Sequence, residues 1–171
     1  LARNTIEYWV KHKEKVNFNE YKKSIDDKLW LNYVEENEAG VFVSIHKRDE
    51  LRGCIGTIQP TQKNIAEEVI SNAIQAAEED PRFNPIREDE LKTLNIKVDV
   101  LHEIEEINGL EELDIKKYGV IVESGNRRGL LLPNLEGISS VEEQVDIARN
   151  KAGIGKKDKY KLYRFEVTRY E

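Results

Sequence analysis

The sequence predicts an α+β fold in which a largely antiparallel sheet is flanked by helices, with room for a small subsidiary lobe. Strand-like runs occur in adjoining pairs separated by short turns, and stretches of helical periodicity lie between those pairs. No internal repeat or low-complexity linker interrupts this order. A chain of 171 residues is long enough for one compact domain with a real core, so we predict a single domain over residues 1–171.

The first predicted element is an amphipathic helix at the start of the chain. Ala2, Ile6, Trp9 and Val10 recur at helical spacing and leave a polar outer face. The stretch that follows is less regular, and no element is predicted there.

A β-hairpin is predicted next. "AGVFVSIHK" (39–47) is rich in β-branched and aromatic residues, and "RDE" separates it from the apolar run "LRGCIGTI". Pro60 closes the second strand.

A second helix is predicted from Thr61 to about Glu79, with a stripe of mainly small side chains that can approach a sheet closely. Pro81 and Pro85 end it. The stripe consists of Ala66, Ile70, Ala73, Ile74 and Ala77.

A helical turn, a strand, a second hairpin, a last helix and a final strand are predicted in the rest of the chain. "REDEL" predicts a helical turn, and the alternation in "LNIKVDVLHEI" predicts a half-buried strand. In "YGVIVESGNRRGLLLP", Gly125 and Asn126 supply a hairpin turn. Ser139 and Ser140 begin a last helix in a capping-box pattern, and "KYKLYRFEVTRYE" predicts a final strand.

Composition limits the class of protein. The formal net charge of −6 argues against a general nucleic-acid binder, which normally shows a basic field. A single cysteine allows no intramolecular disulfide, and no apolar run is long enough to cross a bilayer, so we expect a cytoplasmic protein without membrane association. The chain contains no methionine, so the sequence is expected to begin after the natural start and to be a module of a longer polypeptide.

The segment "LRGCIG" (51–56) is the strongest candidate site. As a strand with period two it places Arg52, Cys54 and Gly56 on one face, where the arginine charge would favour the thiolate of Cys54. The alternative is structural: Gly53 and Gly56 admit the alanine-striped helix, and Cys54 is a small buried apolar residue. A phosphate loop is not favoured, because no "GK[ST]" follows and no third glycine opens a helix.

Two further side chains are candidates near this segment. Arg82 in "DPRF" offers a fork of donors to a carboxylate or phosphate, or else pairs with Asp80 to brace the turn. His46 on the partner strand is the nearest base for a thiol, although a strand histidine beside a turn is typically solvated. The histidines lack metal-ligand spacing, so neither a metal site nor a cofactor is predicted.

Several separated motifs resemble one family. "LRGCIGT", "DPRF", "YGVIVESGNRRGLLLPNLEG" and "ARNKAGI", in that order, are similar to the AMMECR-type domain, called protein A of the AmmeMemoRadiSam system in bacteria and archaea. The resemblance covers essentially the whole chain. It implies helices around an antiparallel sheet, partners that are Memo-like and radical-SAM proteins, and a functional role for residues 51–56, but it supplies no activity.

Three hypotheses follow. In the first, the protein is an accessory component of an AmmeMemoRadiSam-type pathway that binds a small anionic ligand or a partner protein at the face of Arg52 and Cys54, with help from Arg82. The second is an enzyme with Cys54 as thiol nucleophile or acid/base, and the third an RNA-associated regulatory protein. The oligomeric state stays open. The candidate residues are Cys54 for catalysis and Arg52, Gly53, Gly56 and Arg82 for ligand binding.

Overall fold

The computed structural model describes residues 1–171 and confirms the α+β class. The strands form two four-stranded antiparallel sheets, where the sequence predicted one. The chain divides into two compact units, the first made of residues 1–100 with 169–171 and the second of residues 101–168. None of the helices combines the length and apolar character needed to cross a membrane.

The elements have the following bounds. The α-helices are α1 (Ala2–His12), α2 (Phe18–Tyr21), α3 (Lys28–Glu36), α4 (Ile65–Glu78) and α5 (Val141–Lys151). The strands are β1 (Val41–Lys47), β2 (Glu50–Gly56), β3 (Leu94–Leu101), β4 (Glu105–Ile107), β5 (Gly119–Ser124), β6 (Arg127–Leu131), β7 (Lys161–Phe165) and β8 (Val167–Tyr170). Short 3-10 helices cover Lys22–Ser24, Glu88–Thr93 and Leu110–Glu112.

Most predicted elements are confirmed: three long helices, both hairpins and the strand β3 lie where periodicity placed them. The helices α2 and α3 and the strand β4 were not predicted, and the predicted final strand is two strands, β7 and β8. The side chain of Asp27 caps α3 by accepting a hydrogen bond from the Trp30 amide, a start signal that the sequence does contain.

In the first unit, α4 packs on one face of a sheet with the order β2-β1-β3-β8. Val41, Val43 and Ile45 of β1 are fully buried on this helix-facing side. A Cβ atom added to Gly53 would lie 2.3 Å from the Ala76 carbonyl oxygen of α4. The structural interpretation of Gly53 is therefore correct, since only a missing side chain permits this approach of helix to strand.

A β-bulge at Arg52 changes the alternation of β2. Ile45 pairs with Gly53 and His46 with Leu51, so Arg52 has no partner residue on β1. The Arg52 side chain reaches the carbonyl oxygens of Asn84 and Pro85 in the segment after α4, and Leu51 lies opposite His46. The prediction that Arg52 and Cys54 share a face is wrong, because period-two counting assumes a strand without a bulge.

The second unit repeats the helix-on-sheet plan with α5 on a sheet of order β4-β7-β5-β6. Gly125 turns the β5–β6 hairpin at a φ of +58°, as predicted. The hydroxyl of Ser140 accepts a hydrogen bond from the Glu143 amide at 3.1 Å, and the Glu143 carboxylate accepts one from the Ser139 amide at 2.8 Å. The predicted cap of α5 is thus confirmed.

Candidate functional site

Cys54 lies on edge strand β2, on the sheet face that points away from α4. It is half-buried, and its Sγ lies 3.3 Å from the hydroxyl of Ser44, the residue directly opposite on β1. Two residues along, the Phe42 ring covers Gly56, where an added Cβ would approach the ring to 2.3 Å. Gly56 therefore makes room for this ring on the Cys54 face, and not for α4.

The segment after α4 supplies hydrogen bonds that a neighbouring strand would otherwise make. The carboxylate of Asp80 accepts a hydrogen bond from the Cys54 amide at 2.8 Å. Arg82 donates from Nη2 to the Cys54 carbonyl oxygen at 3.3 Å. Since β2 is at the edge of its sheet, these two side chains satisfy backbone groups that would otherwise face solvent unpaired.

Asp80 and Arg82 also form a two-point ion pair. Arg82 donates from Nε to Oδ1 of Asp80 at 3.0 Å and from Nη2 to Oδ2 at 2.8 Å. The hydrogen bonds from Arg82 are the main reason that the pKa of Asp80 falls to about 2. Arg82 thus pairs with Asp80 and braces the turn, as one of the two interpretations of "DPRF" predicted. The Arg82 side chain nevertheless remains 55% exposed, and its Nη1 has no hydrogen-bond partner.

Arg52 is engaged elsewhere. Its guanidinium donates to both carboxylate oxygens of the buried Glu90, at 3.1 and 3.0 Å, and to the carbonyl oxygens of Asn84 and Pro85. Lys47 also donates to Glu90, and the pKa of Glu90 falls to about 2, chiefly because of Arg52. Arg52 therefore links the bulge in β2 to the segment after α4, and it makes no contact with Cys54. A ligand-binding role for Arg52 stays a prediction.

His46 lies on the Cys54 face of β1 and is half-buried. Its Nδ1 is buried without a hydrogen-bond partner. Burial, and then the positive charge of Lys97, lower the pKa of His46, so the imidazole is neutral near neutral pH. This environment differs from that of a solvated surface histidine.

Sequence reasoning missed Ser44 and Phe42. Both are revealed by the hairpin register, in which Ser44 opposes Cys54 and Phe42 opposes Gly56. The short "RDE" connection contains part of that information, because loop length restricts register in a hairpin.

The site therefore combines a thiol, a hydroxyl, an aromatic ring and a fixed guanidinium with one open edge. A guanidinium edge of this kind recognises carboxylate and phosphate oxygens. No group of three or more His, Cys, Asp and Glu side chains is placed to hold a metal ion.

An α+β fold with an LRGCIG edge strand, followed by a helix and a DPRF segment that grips this strand, describes an AMMECR-type protein. The sequence pattern of the AMMECR1 family matches residues 1–170, and the chain belongs to this family.

The chain is also similar to other proteins and to a solved structure. A protein of Thermotoga maritima is 46% identical over 172 residues, covering 99% of this chain and 94% of its own. Protein CA_C1420 of Clostridium acetobutylicum is 53% identical over 144 residues, which are 82% of this chain but 31% of that protein. The crystal structure of uncharacterized protein PH0010 from Pyrococcus horikoshii matches with a TM-score of 0.83 at 30% identity, covering 98% of this chain and 86% of that one.

Proposed function

We propose that this protein is a binding component that holds an anionic group of a small ligand or partner at Arg82, beside the Cys54 thiol. The observation that carries the proposal is the Arg82 guanidinium. Asp80 fixes one edge of it, while Nη1 is free of hydrogen bonds and the side chain is half-exposed. A pre-oriented guanidinium loses little conformational entropy when it binds a carboxylate or phosphate.

The partners that we propose are Memo-like and radical-SAM proteins, as the resemblance to protein A of the AmmeMemoRadiSam system implies. The match to the Clostridium relative covers only 31% of that protein, so a related module is joined there to much additional chain. The additional chain in that relative supports a role for this protein as a component of a larger assembly.

Cys54, the only cysteine, provides a probe of the positive charge at Arg82. We expect anionic iodoacetate to alkylate Cys54 faster, relative to neutral iodoacetamide, than it alkylates N-acetylcysteine. A unit charge about 4 Å away in mostly aqueous surroundings contributes about 1 kcal/mol, which is about fivefold in rate. The ratio of the two rates is measured by mass spectrometry of the intact protein.

The matched variants are Arg82→Gln and Arg87→Gln. Arg87 is an exposed arginine that pairs with Asp89 much as Arg82 pairs with Asp80. We expect Arg82→Gln to abolish the iodoacetate preference and Arg87→Gln to preserve it, with folding of both checked by circular dichroism. An unchanged preference in a folded Arg82→Gln variant would contradict anion binding at this site.

The partner proposal has a separate test. Memo-like and radical-SAM proteins from the same genome are mixed with the purified protein and analysed by size-exclusion chromatography. We expect co-elution with the unmodified protein and its loss with Arg82→Glu, which reverses the charge at the site. Co-elution that survives this reversal would separate partner binding from Arg82.

A second candidate function, a thiol enzyme with Cys54 as nucleophile, is favoured by His46. This neutral imidazole shares the Cys54 face and has an unpartnered Nδ1. If it accepts the thiol proton, the iodoacetamide rate of Cys54 will rise with a midpoint well below the free thiol value of about 8.5, and His46→Gln will move that midpoint upward. The same midpoint in both proteins would eliminate His46 as the base.

A further inference from the structure

The second unit contains a cavity of about 290 Å³ that does not include Cys54. Drug-sized ligands usually occupy roughly 300–1,000 Å³, so this cavity suits a smaller metabolite. Its lining consists of His102, Glu103, Glu105, Tyr118, Arg164, Phe165 and Glu166.

Arg164 gives the cavity a fixed cationic group. Its Nε donates to Glu105 at 2.9 Å and its Nη1 donates to the Glu112 carbonyl oxygen at 2.9 Å. The guanidinium carbon also lies 4.5 Å from the centre of the Tyr118 ring. These contacts orient the guanidinium, and Nη2 remains without a hydrogen-bond partner.

The cavity also has carboxylates that can accept further hydrogen bonds. Glu103 is exposed and makes no hydrogen bond or ion pair. Glu166 has only a loose contact with Lys117, at 3.5 Å. His102 is held at the same cavity by a 2.8 Å contact between its Nε2 and the Thr168 hydroxyl.

We propose that this cavity binds a small zwitterion of the α-amino acid class, with the ligand carboxylate at Nη2 of Arg164 and the ligand ammonium at Glu103. A plain anion would meet three glutamates, and a plain cation would meet the arginine. A molecule with both charges a few bonds apart can pair with both kinds of charged group in the lining. This site is independent of the anion site at Arg82.

Three compounds that share the isobutyl group of leucine test the pairing of charges. L-Leucine carries both groups, 4-methylpentanoate lacks the ammonium and 3-methylbutylamine lacks the carboxylate. Binding to the full chain is measured by titration of its ¹H–¹⁵N NMR spectrum. We expect L-leucine to shift amide signals near Arg164 and Tyr118 and to bind at least about tenfold more tightly than either analogue, because each analogue loses a charge-assisted hydrogen bond.

Two variants locate the ammonium contact. Glu103→Gln removes an unpaired exposed charge, so the fold should persist, and we expect a roughly tenfold loss of L-leucine affinity. Glu106→Gln is the control, because Glu106 pairs with Lys161 outside the cavity lining. The proposal is overturned if L-leucine gives no shifts at millimolar concentration, if either analogue binds equally well, or if Glu103→Gln binds L-leucine with unchanged affinity.

Discussion

At the scale of single residues, Asp80 is the side chain that joins the Cys54 strand to Arg82. Its two oxygens accept hydrogen bonds from the Cys54 amide and from three donors of Arg82: the backbone amide, Nε and Nη2. One buried carboxylate therefore positions both the strand that carries the thiol and the guanidinium beside it. The sequence suggested that Arg82 either braces the turn or offers donors to a ligand, and the geometry permits both, because bracing uses one edge of the guanidinium.

This arrangement predicts a pH dependence of stability. The pKa of Asp80 falls from its ordinary 3.8 to about 2 in the folded protein, so its stabilising contribution is complete above about pH 5 and is lost as the pH falls towards 2. We expect Asp80→Asn to be less stable than the unmodified protein at pH 7 and to lose less stability between pH 5 and pH 2.5. Urea unfolding at several pH values measures this.

Glu90 provides the comparison for Asp80. Its pKa is also lowered to about 2, so it will contribute part of the acid sensitivity of the unmodified protein. Asp80→Asn should therefore reduce the slope of stability against pH without removing it. Parallel curves for the two proteins would mean that Asp80 does not titrate as its hydrogen bonds indicate.

At the scale of elements, periodicity identified the elements whose cores are strongly patterned, such as α1, α4 and the β1–β2 hairpin. It missed the bulge at Arg52, because one inserted residue leaves no mark in the composition of a strand. It also missed what Arg52 contacts, since Glu90 lies far along the chain and is brought near by the fold. The thiol face was thus predictable from the hairpin and Arg82 was a candidate from the "DPRF" motif, whereas the pairing of Arg52 with Glu90 depended on long-range structure.

The bulge leads to a prediction that separates stability from binding. Arg52→Gln leaves the buried Glu90 with one cationic partner, Lys47, and frees the segment that follows α4. We expect the free energy of unfolding to fall by roughly 2–3 kcal/mol, a usual cost of breaking a charge-assisted pair that is largely buried. The iodoacetate preference of Cys54 should not change, because the Arg52 guanidinium is engaged by Glu90 and does not contact Cys54.

Arg82→Gln serves as the counterpart in the same two assays. It should remove the iodoacetate preference, which Arg52→Gln should keep. Loss of the preference in both variants, with both folded, would show that the Arg52 charge acts on the thiol, as the sequence alone suggested.

At the scale of the whole molecule, the end of the chain completes the first unit. Arg169 donates to the buried Asp99 of β3 at 2.7 Å, and Lys97 pairs with Glu171 at 2.8 Å. The sequence showed a strand-like tail and could not show its neighbour, because pairing with β3 depends on contacts across about 70 residues of chain. The first unit is therefore discontinuous in sequence, and it includes residues 169–171.

This closure predicts that Arg169→Ala lowers the stability of the first unit by about 3 kcal/mol, because it leaves a buried carboxylate without its cation. Burial raises the pKa of Asp99 and the hydrogen bond from Arg169 opposes that rise, so without Arg169 the cost of ionising Asp99 in the fold grows as the pH rises. The loss of stability in the Arg169→Ala variant should therefore be larger at pH 7 than at pH 4.

Hydrogen exchange of the β1 and β3 amides measures this loss of stability. Arg128→Ala is the control, because Arg128 pairs with Glu123 on an exposed hairpin and its loss should cost under about 1 kcal/mol. Equal deficits at the two pH values would mean that the loss of Arg169 does not change the titration of Asp99 in the fold.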